Sequence, residues 1–294
     1  MTIAHEFDYV RPATLDAALA CLASDGSRVL AGGTDVVPWL RDDLIEPELL
    51  VDIKAIADLA QISVTDDRII LGALVTFSDL IESDVVRDAA PVLVEMAHQV
   101  ASVGIRNRAT IVGNLCAAVP SLDAGPVLMV YDATVEVART GGVRSVPLAE
   151  WFVGPKQTQL VTGELVTGVT LYLPAVEHAA VFLKLARYSG EDLAQANLAI
   201  LLTAEHDCRL AFGAVAPVPF RAADIEAVLS GNALTDEVIA DARALVAGSI
   251  SPISDVRASA EYRTHMCAVM VERGLLAVAS RLAGDGPTYP THLI

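Results

Sequence analysis

Two hydrophobic rhythms alternate along the chain. Residues 7–10 and 28–31 are short apolar runs of strand type, and between them Leu15, Ala18, Leu19 and Leu22 recur at helical spacing behind Thr14, a residue able to cap a helix N-terminus. Strand, helix and strand are thus complete within about thirty residues, the size of a small βαβ unit. Residues 49–53 predict a further strand. From residue 62 the texture changes to a hairpin, with strands over 62–64 and 68–73 flanking an Asp66-Asp67 turn. A short helix near 77–81 follows, then a helix opened by Pro91 with Val92, Leu93, Met96, Ala97 and Val100 facing a core.

Beyond that point the pattern predicts a helix over 124–131, a hairpin of 134–138 with 143–146 around Gly141-Gly142, and a strand over 166–173 that ends at Pro174. The charged, turn-forming stretch 174–178 is the best candidate domain boundary, which divides the chain into 1–177 and 178–294. After it come strands near 181–185, 198–204 and 209–215, then helices near 222–229, 236–247 and 259–282. An antiparallel sheet covered by helices, an α+β arrangement, is the natural way to bury those faces.

Composition narrows the function. No apolar run approaches the roughly 18 residues of a membrane span, so no membrane span is expected. The N-terminus carries Glu6, Asp8 and Arg11 instead of a basic start with an apolar core, which makes a cytoplasmic location the expectation. A net charge of −17 disfavours nucleic acid as a partner. Cys21, Cys116, Cys208 and Cys267 lie far apart without metal-ligand spacing, so they read as buried, reduced thiols and no metal site is expected. The chain has no G-x-G-x-x-G dinucleotide fingerprint, no phosphate loop of the G-x-x-x-x-G-K-[ST] type, no H-E-x-x-H helix and no G-x-S-x-G elbow.

Two glycine stretches stand out instead. Leu30-Ala31-Gly32-Gly33-Thr34-Asp35 begins where the second strand stops, and Thr110-Ile111-Val112-Gly113-Asn114 follows a segment in which Arg106, Asn107 and Arg108 interrupt apolar sequence. Each reads as an apolar run breaking into residues with approachable backbone N–H groups, the donors that a phosphate needs. Asn114 adds a carboxamide able to hold a turn or a ligand, and Asp123 a carboxylate at a helix N-terminus.

These residues resemble the FAD-binding medium subunit of the molybdenum hydroxylases, the family of carbon monoxide dehydrogenase and xanthine dehydrogenase. The resemblance runs over nearly the whole chain: Ala31 to Asp35, Leu50-Val51-Asp52-Ile53, Gly72-Ala73-Leu74-Val75-Thr76, Ile105-Arg106-Asn107, Thr110 to Asn114, Pro120 with Asp123, Lys184 with Arg187, and the run Asp255 to Arg263. It implies an α+β fold: a two-lobed, PCMH-type rather than Rossmann FAD domain, with lobes of about 1–55 and 56–177, followed by a C-terminal antiparallel sheet with helices over 178–294. Both glycine stretches would wrap the FAD pyrophosphate, which assigns Leu30, Ala31, Gly32, Gly33, Thr34 and Asp35 together with Thr110, Ile111, Val112, Gly113 and Asn114. Asp123 would contact the ribose side of the nucleotide, Val166 would also line the site, and Lys184 would lie near the isoalloxazine ring. The family's second motif usually has two glycines before its asparagine; here Val112 replaces the first, so a Cβ must be accommodated at that turn. The segment Tyr188-Ser189-Gly190-Glu191-Asp192-Leu193 follows the family's Arg-x-x-x-Asp pattern only loosely.

The resemblance further implies an oxidoreductase subunit that collects electrons on FAD from a [2Fe–2S] small subunit and passes them to an external acceptor. Molybdopterin would sit on a large subunit, and the assembly would be a dimer of heterotrimers. No side chain of this chain need act as nucleophile or general base. Thr34 stands where relatives with covalent flavin have a histidine near this turn, so the FAD is expected to be non-covalent. His5, His98, His178, His206, His265 and His292 are scattered. Two alternatives remain at this level: a stand-alone FAD-dependent oxidoreductase, or a non-catalytic assembly subunit.

Overall fold

The computed structural model describes residues 3–188, 190–291 and 293–294; Ser189 and His292, named above, lie outside the described residues. The chain opens with β1 (Asp8–Val10), α1 (Leu15–Leu22), β2 (Ser27–Leu30), α2 (Val36–Arg41) and β3 (Leu49–Asp52). Thr14 caps α1 by accepting from the Ala17 N–H, as its position suggests. The strands β1 and β2 are not neighbours: both pair in parallel with β3, which lies between them. Sequence pattern missed α2 because Pro38 interrupts it. Pro38 is the third residue of that helix, where a backbone N–H has no intrahelical acceptor and its loss costs little.

A second group of elements surrounds a five-stranded antiparallel sheet. It comprises β4 (Ile62–Val64), β5 (Arg68–Gly72), α3 (Phe77–Glu82), α4 (Asp84–Ala89), α5 (Pro91–His98), α6 (Val103–Arg106), α7 (Ile111–Ala117) and α8 (Ala124–Val130). β6 (Thr134–Arg139), β7 (Gly142–Pro147), α9 (Leu148–Trp151), β8 (Phe152–Gly154), β9 (Gln157–Thr158) and β10 (Glu164–Tyr172) complete it. The sheet order is β4-β5-β10-β6-β7, so the late strand β10 sits in the middle and ties the early hairpin to the later one.

The last group is β11 (His178–Leu185), β12 (Ala196–Thr203), β13 (Cys208–Gly213) and β14 (Phe220–Arg221), then α10 (Ala223–Leu229), α11 (Asp236–Ser249) and α12 (Ala260–Leu282). Strand alternation here serves two cores, because both faces of this sheet are covered. Ala180, Phe182, Ala199, Leu201 and Ala211 face the core shared with α5 and α8, while Val181, Leu183, Leu198, Ile200 and Phe212 face the core under the C-terminal helices. For that reason residues 198–202 of β12 read as an unbroken apolar run, and the strand is buried throughout.

A buried ion pair fastens the two cores. Glu95 of α5 and Arg281 of α12 meet at 2.7 Å with side chains 0% and 3% exposed. The Glu95 carboxylate also accepts from the backbone N–H groups of Phe182 and Thr291, and Arg281 donates to the carbonyls of Ala180 and Pro287. The Tyr289 ring lies 3.6 Å from the guanidinium carbon. With each charge so fully hydrogen-bonded, loss of one partner leaves the other buried and uncompensated. Replacing Arg281 by Leu should therefore destabilise the fold by about 3–5 kcal/mol, read as a lowered midpoint in chemical denaturation.

Candidate functional site

The two glycine stretches meet. An ideal Cβ on Gly32 would lie 1.8 Å from the carbonyl oxygen of Arg108, so the first stretch passes against the backbone leading into the second only because position 32 has no side chain. The Arg108 Nε donates back to the Gly32 carbonyl at 3.2 Å. Next along the chain, Gly33 has φ +81°, a left-handed turn that glycine adopts without strain. Behind the turn, Lys54 Nζ donates to the Ala31 carbonyl at 3.1 Å and pairs with the buried Asp52, which also accepts from the Tyr9 hydroxyl.

Among the described residues, none of the backbone N–H groups of Gly32, Gly33, Thr34 and Asp35 has a carbonyl or side-chain partner. Four successive donors are left for a ligand, and they border a cavity of about 820 Å³. That volume lies within the roughly 300–1,000 Å³ of small-molecule and cofactor sites. The cavity draws its walls from all three groups of elements: the first stretch, the loop after α5, the second stretch, residues 153–166, and Lys184 with residues 191–193.

The second stretch is different from its sequence reading. Residues 111–117 form α7, with Thr110 as its cap: the Thr110 hydroxyl accepts from the Gly113 N–H at 2.9 Å. Ile111 donates to the Val75 carbonyl and Asn114 to the Thr110 carbonyl, so most of these N–H groups are already used. Val112 is helical and buried in the core, and its Cβ causes no strain at a turn. Gly113 is the constrained position, since a Cβ there would stand 2.8 Å from the Thr110 hydroxyl oxygen. Asn114 accepts from the Ala124 N–H at 3.3 Å through its carbonyl oxygen, which ties α7 to α8 beside the cavity.

Of the residues that the sequence resemblance assigns to the FAD site, all but Leu30 and Ile111 line the cavity. Leu30 ends β2, and Ile111 is wholly buried in the core. Asp123 stands at the N-cap of α8 without capping it; its carboxylate takes Lys184 Nζ at 2.7 Å and the Asn197 side-chain N–H at 3.0 Å. Lys184 also donates to the Gln99 carbonyl at 2.9 Å. Burial pushes the Asp123 carboxyl upward, against the opposing pull of Lys184 and Asn197. Sequence pattern could not find Asn197, because it sits inside an apolar strand and reaches Asp123 only through the tertiary fold.

Cations offset part of the negative charge that the lining carboxylates bring to the cavity. Glu164 is held below its ordinary range by hydrogen bonds from Arg144, against burial, and Asp192 by those from Arg187, so both are paired. Burial raises the Asp35 carboxyl, with Lys156 pulling the other way. Arg28 lines the cavity with no carboxylate partner among the described residues. The thiols divide: Cys208 and Cys267 are buried, whereas Cys21 and Cys116 are partly exposed, and burial pushes Cys116, on the cavity wall, up to about 12. Among the described residues there is no cluster of groups able to hold a metal ion, and no helix is long and apolar enough to cross a membrane.

Comparison with known proteins gives these features a family. Residues 5–174 match the model of the FAD binding domain in molybdopterin dehydrogenase, and residues 181–278 that of the CO dehydrogenase flavoprotein C-terminal domain. The chain is 32% identical to the glyceraldehyde dehydrogenase medium chain of Sulfolobus acidocaldarius, over 93% of this chain and 99% of that one. It is 33% identical to the carbon monoxide dehydrogenase medium chain of Afipia carboxidovorans, over 94% and 97% respectively. Its fold superposes on a carbon monoxide dehydrogenase chain from Hydrogenophaga pseudoflava with a TM-score of 0.91 at 30% identity, covering 96% of this chain and 99% of that one.

The Asp123–Lys184 pair has a pH signature. In a Lys184→Met variant Asp123 keeps its burial and loses its cation, so its carboxyl rises further and the ionised form is penalised. The loss of stability should be about 3–5 kcal/mol at alkaline pH and should shrink as the pH falls through the raised folded-state value, because protonation removes the buried charge. Denaturation of parent and variant at pH 5 and at pH 8 reads that slope; an equal loss at both ends would contradict it.

Proposed function

Since this chain belongs to the family of FAD-binding medium subunits of molybdenum hydroxylases, an oxidoreductase subunit, we propose that it is the electron-transfer flavoprotein of such an enzyme, with residues 1–177 as its FAD domain and 178–294 as the domain that closes the site. Electrons would arrive from a [2Fe–2S] small subunit, with the molybdenum cofactor on a large subunit, and leave to an external acceptor. A cytoplasmic dimer of heterotrimers is the assembly proposed. The observation that carries the reading is the row of four unpartnered N–H groups from Gly32 to Asp35 on the edge of a cavity of cofactor size.

Those four donors suit the FAD pyrophosphate, because successive backbone N–H groups around a left-handed glycine form an anion-binding concavity. When bound, FAD supplies a store that accepts and releases electrons; the chain supplies its position and surroundings. Lys54 and Arg108 hold the adjacent Ala31 and Gly32 carbonyls of the first stretch, leaving its N–H side free. Also on the cavity wall, Lys184 is held by Asp123 and Gln99. A cation in that place favours electron density on a reduced ring nearby.

Gly33→Val puts a β-branched residue at φ +81°, where such side chains are strongly disfavoured. The purified variant should lose most of its flavin, measured as the ratio of flavin to protein absorbance, while flavin content equal to the parent's would refute the assignment. Denaturing the parent should release free yellow cofactor, and flavin remaining on the chain would refute non-covalent binding.

A further inference from the structure

Ala101 lies on the cavity wall in the left-handed region, with φ +41°. A residue with a Cβ holds that conformation only where its surroundings enforce it. Two cations do so here. Arg106, the last residue of α6, donates through Nη1 to the Val100 carbonyl at 2.8 Å and the Ala101 carbonyl at 2.7 Å, with the His98 carbonyl at 3.5 Å. Lys184 takes the remaining carbonyl of the segment, Gln99, at 2.9 Å. Every carbonyl from His98 to Ala101 is thereby engaged, while the Ala101 N–H has no acceptor among the described residues.

We infer that Arg106 is a positioning residue for the bound cofactor: by holding the Val100 and Ala101 carbonyls it fixes Ala101 in the left-handed conformation and sets the shape of the 99–101 wall against which FAD binds. The inference rests on the reading of this cavity as the FAD site. Arg106 itself does not line the cavity, so its influence passes through the backbone it clamps. Without the clamp, Ala101 relaxes toward ordinary backbone and the wall changes shape. A glycine at 101 would keep the left-handed turn without strain and so remove most of the need for the clamp.

The test is a double-mutant cycle on the full chain, with FAD dissociation constants measured by quenching of flavin fluorescence. Arg106→Gln should weaken FAD binding by about tenfold, the factor that matches release of left-handed strain, and Ala101→Gly in the same chain should restore most of that affinity. A merely structural role for Arg106 predicts no such rescue, because glycine adds no contact. Equal constants for Arg106→Gln and the double variant, or an Arg106→Gln chain that binds FAD like the parent, would overturn the inference. Should Arg106→Gln fail to fold, Arg106→Lys with and without Ala101→Gly reads the same coupling: a gain with glycine supports it and no gain overturns it. Gly33→Val distinguishes the two levels, since its retention of FAD would sink the cofactor site as a whole, whereas its loss beside an unaffected Arg106→Gln would sink this inference alone.

Discussion

The site depends on a backbone-to-backbone approach. Gly32 and the Arg108 carbonyl come so close that any side chain at position 32 would collide, and this contact joins the end of the parallel three-stranded sheet to the start of α7. Several features follow from it. With the carbonyls of Ala31 and Gly32 bound by Lys54 and Arg108, the amide edge of the same stretch is turned away from protein acceptors. A helix or strand in this position would have consumed those donors in its own ladder. The irregular loop leaves them unpaired because it is pinned from one side only.

Two buried ion pairs then hold the four-stranded sheet over the rest. Lys184 of β11 reaches Asp123 before α8, and Arg281 of α12 reaches Glu95 of α5. Buried pairs of this kind contribute little net stability, since desolvation offsets their attraction, but they make misplacement costly. A shift of β11 by one residue would take Lys184 from Asp123 and the Phe182 N–H from Glu95. Their consequence is registration: the sheet can close the cavity in one position, and Lys184 is delivered to it in one orientation.

Local chemistry made much of the architecture legible. Thr14, Thr76, Thr235 and Ser259 each accept from a backbone N–H as helix caps, and the apolar faces of α1, α5 and the C-terminal helices are those that their spacing marks out. Less legible was anything in which a side chain is satisfied by a distant partner. Asp123 looked like a helix cap and is an ion-pair partner; Val112 looked like a strained turn and is a core residue of a helix. For Asp123 a contact from far along the chain, Lys184, decided against the simpler reading; for Val112 it was the Thr110 cap that makes the stretch a helix.

Sequence by itself determined most of the element types, the α+β class and the place of the two glycine stretches, because caps, periodicity and missing side chains act over a few residues and leave their mark in order. Tertiary structure decided that β3 lies between β1 and β2, that the donors from Gly32 to Asp35 stay free while most of the second stretch's are used, and that Lys184 meets Asp123, itself held by Asn197, on the wall of the cavity. Those outcomes depend on which carbonyl or carboxylate arrives at a given donor. That is settled only when segments separated by tens of residues are packed together, and no local pattern records it.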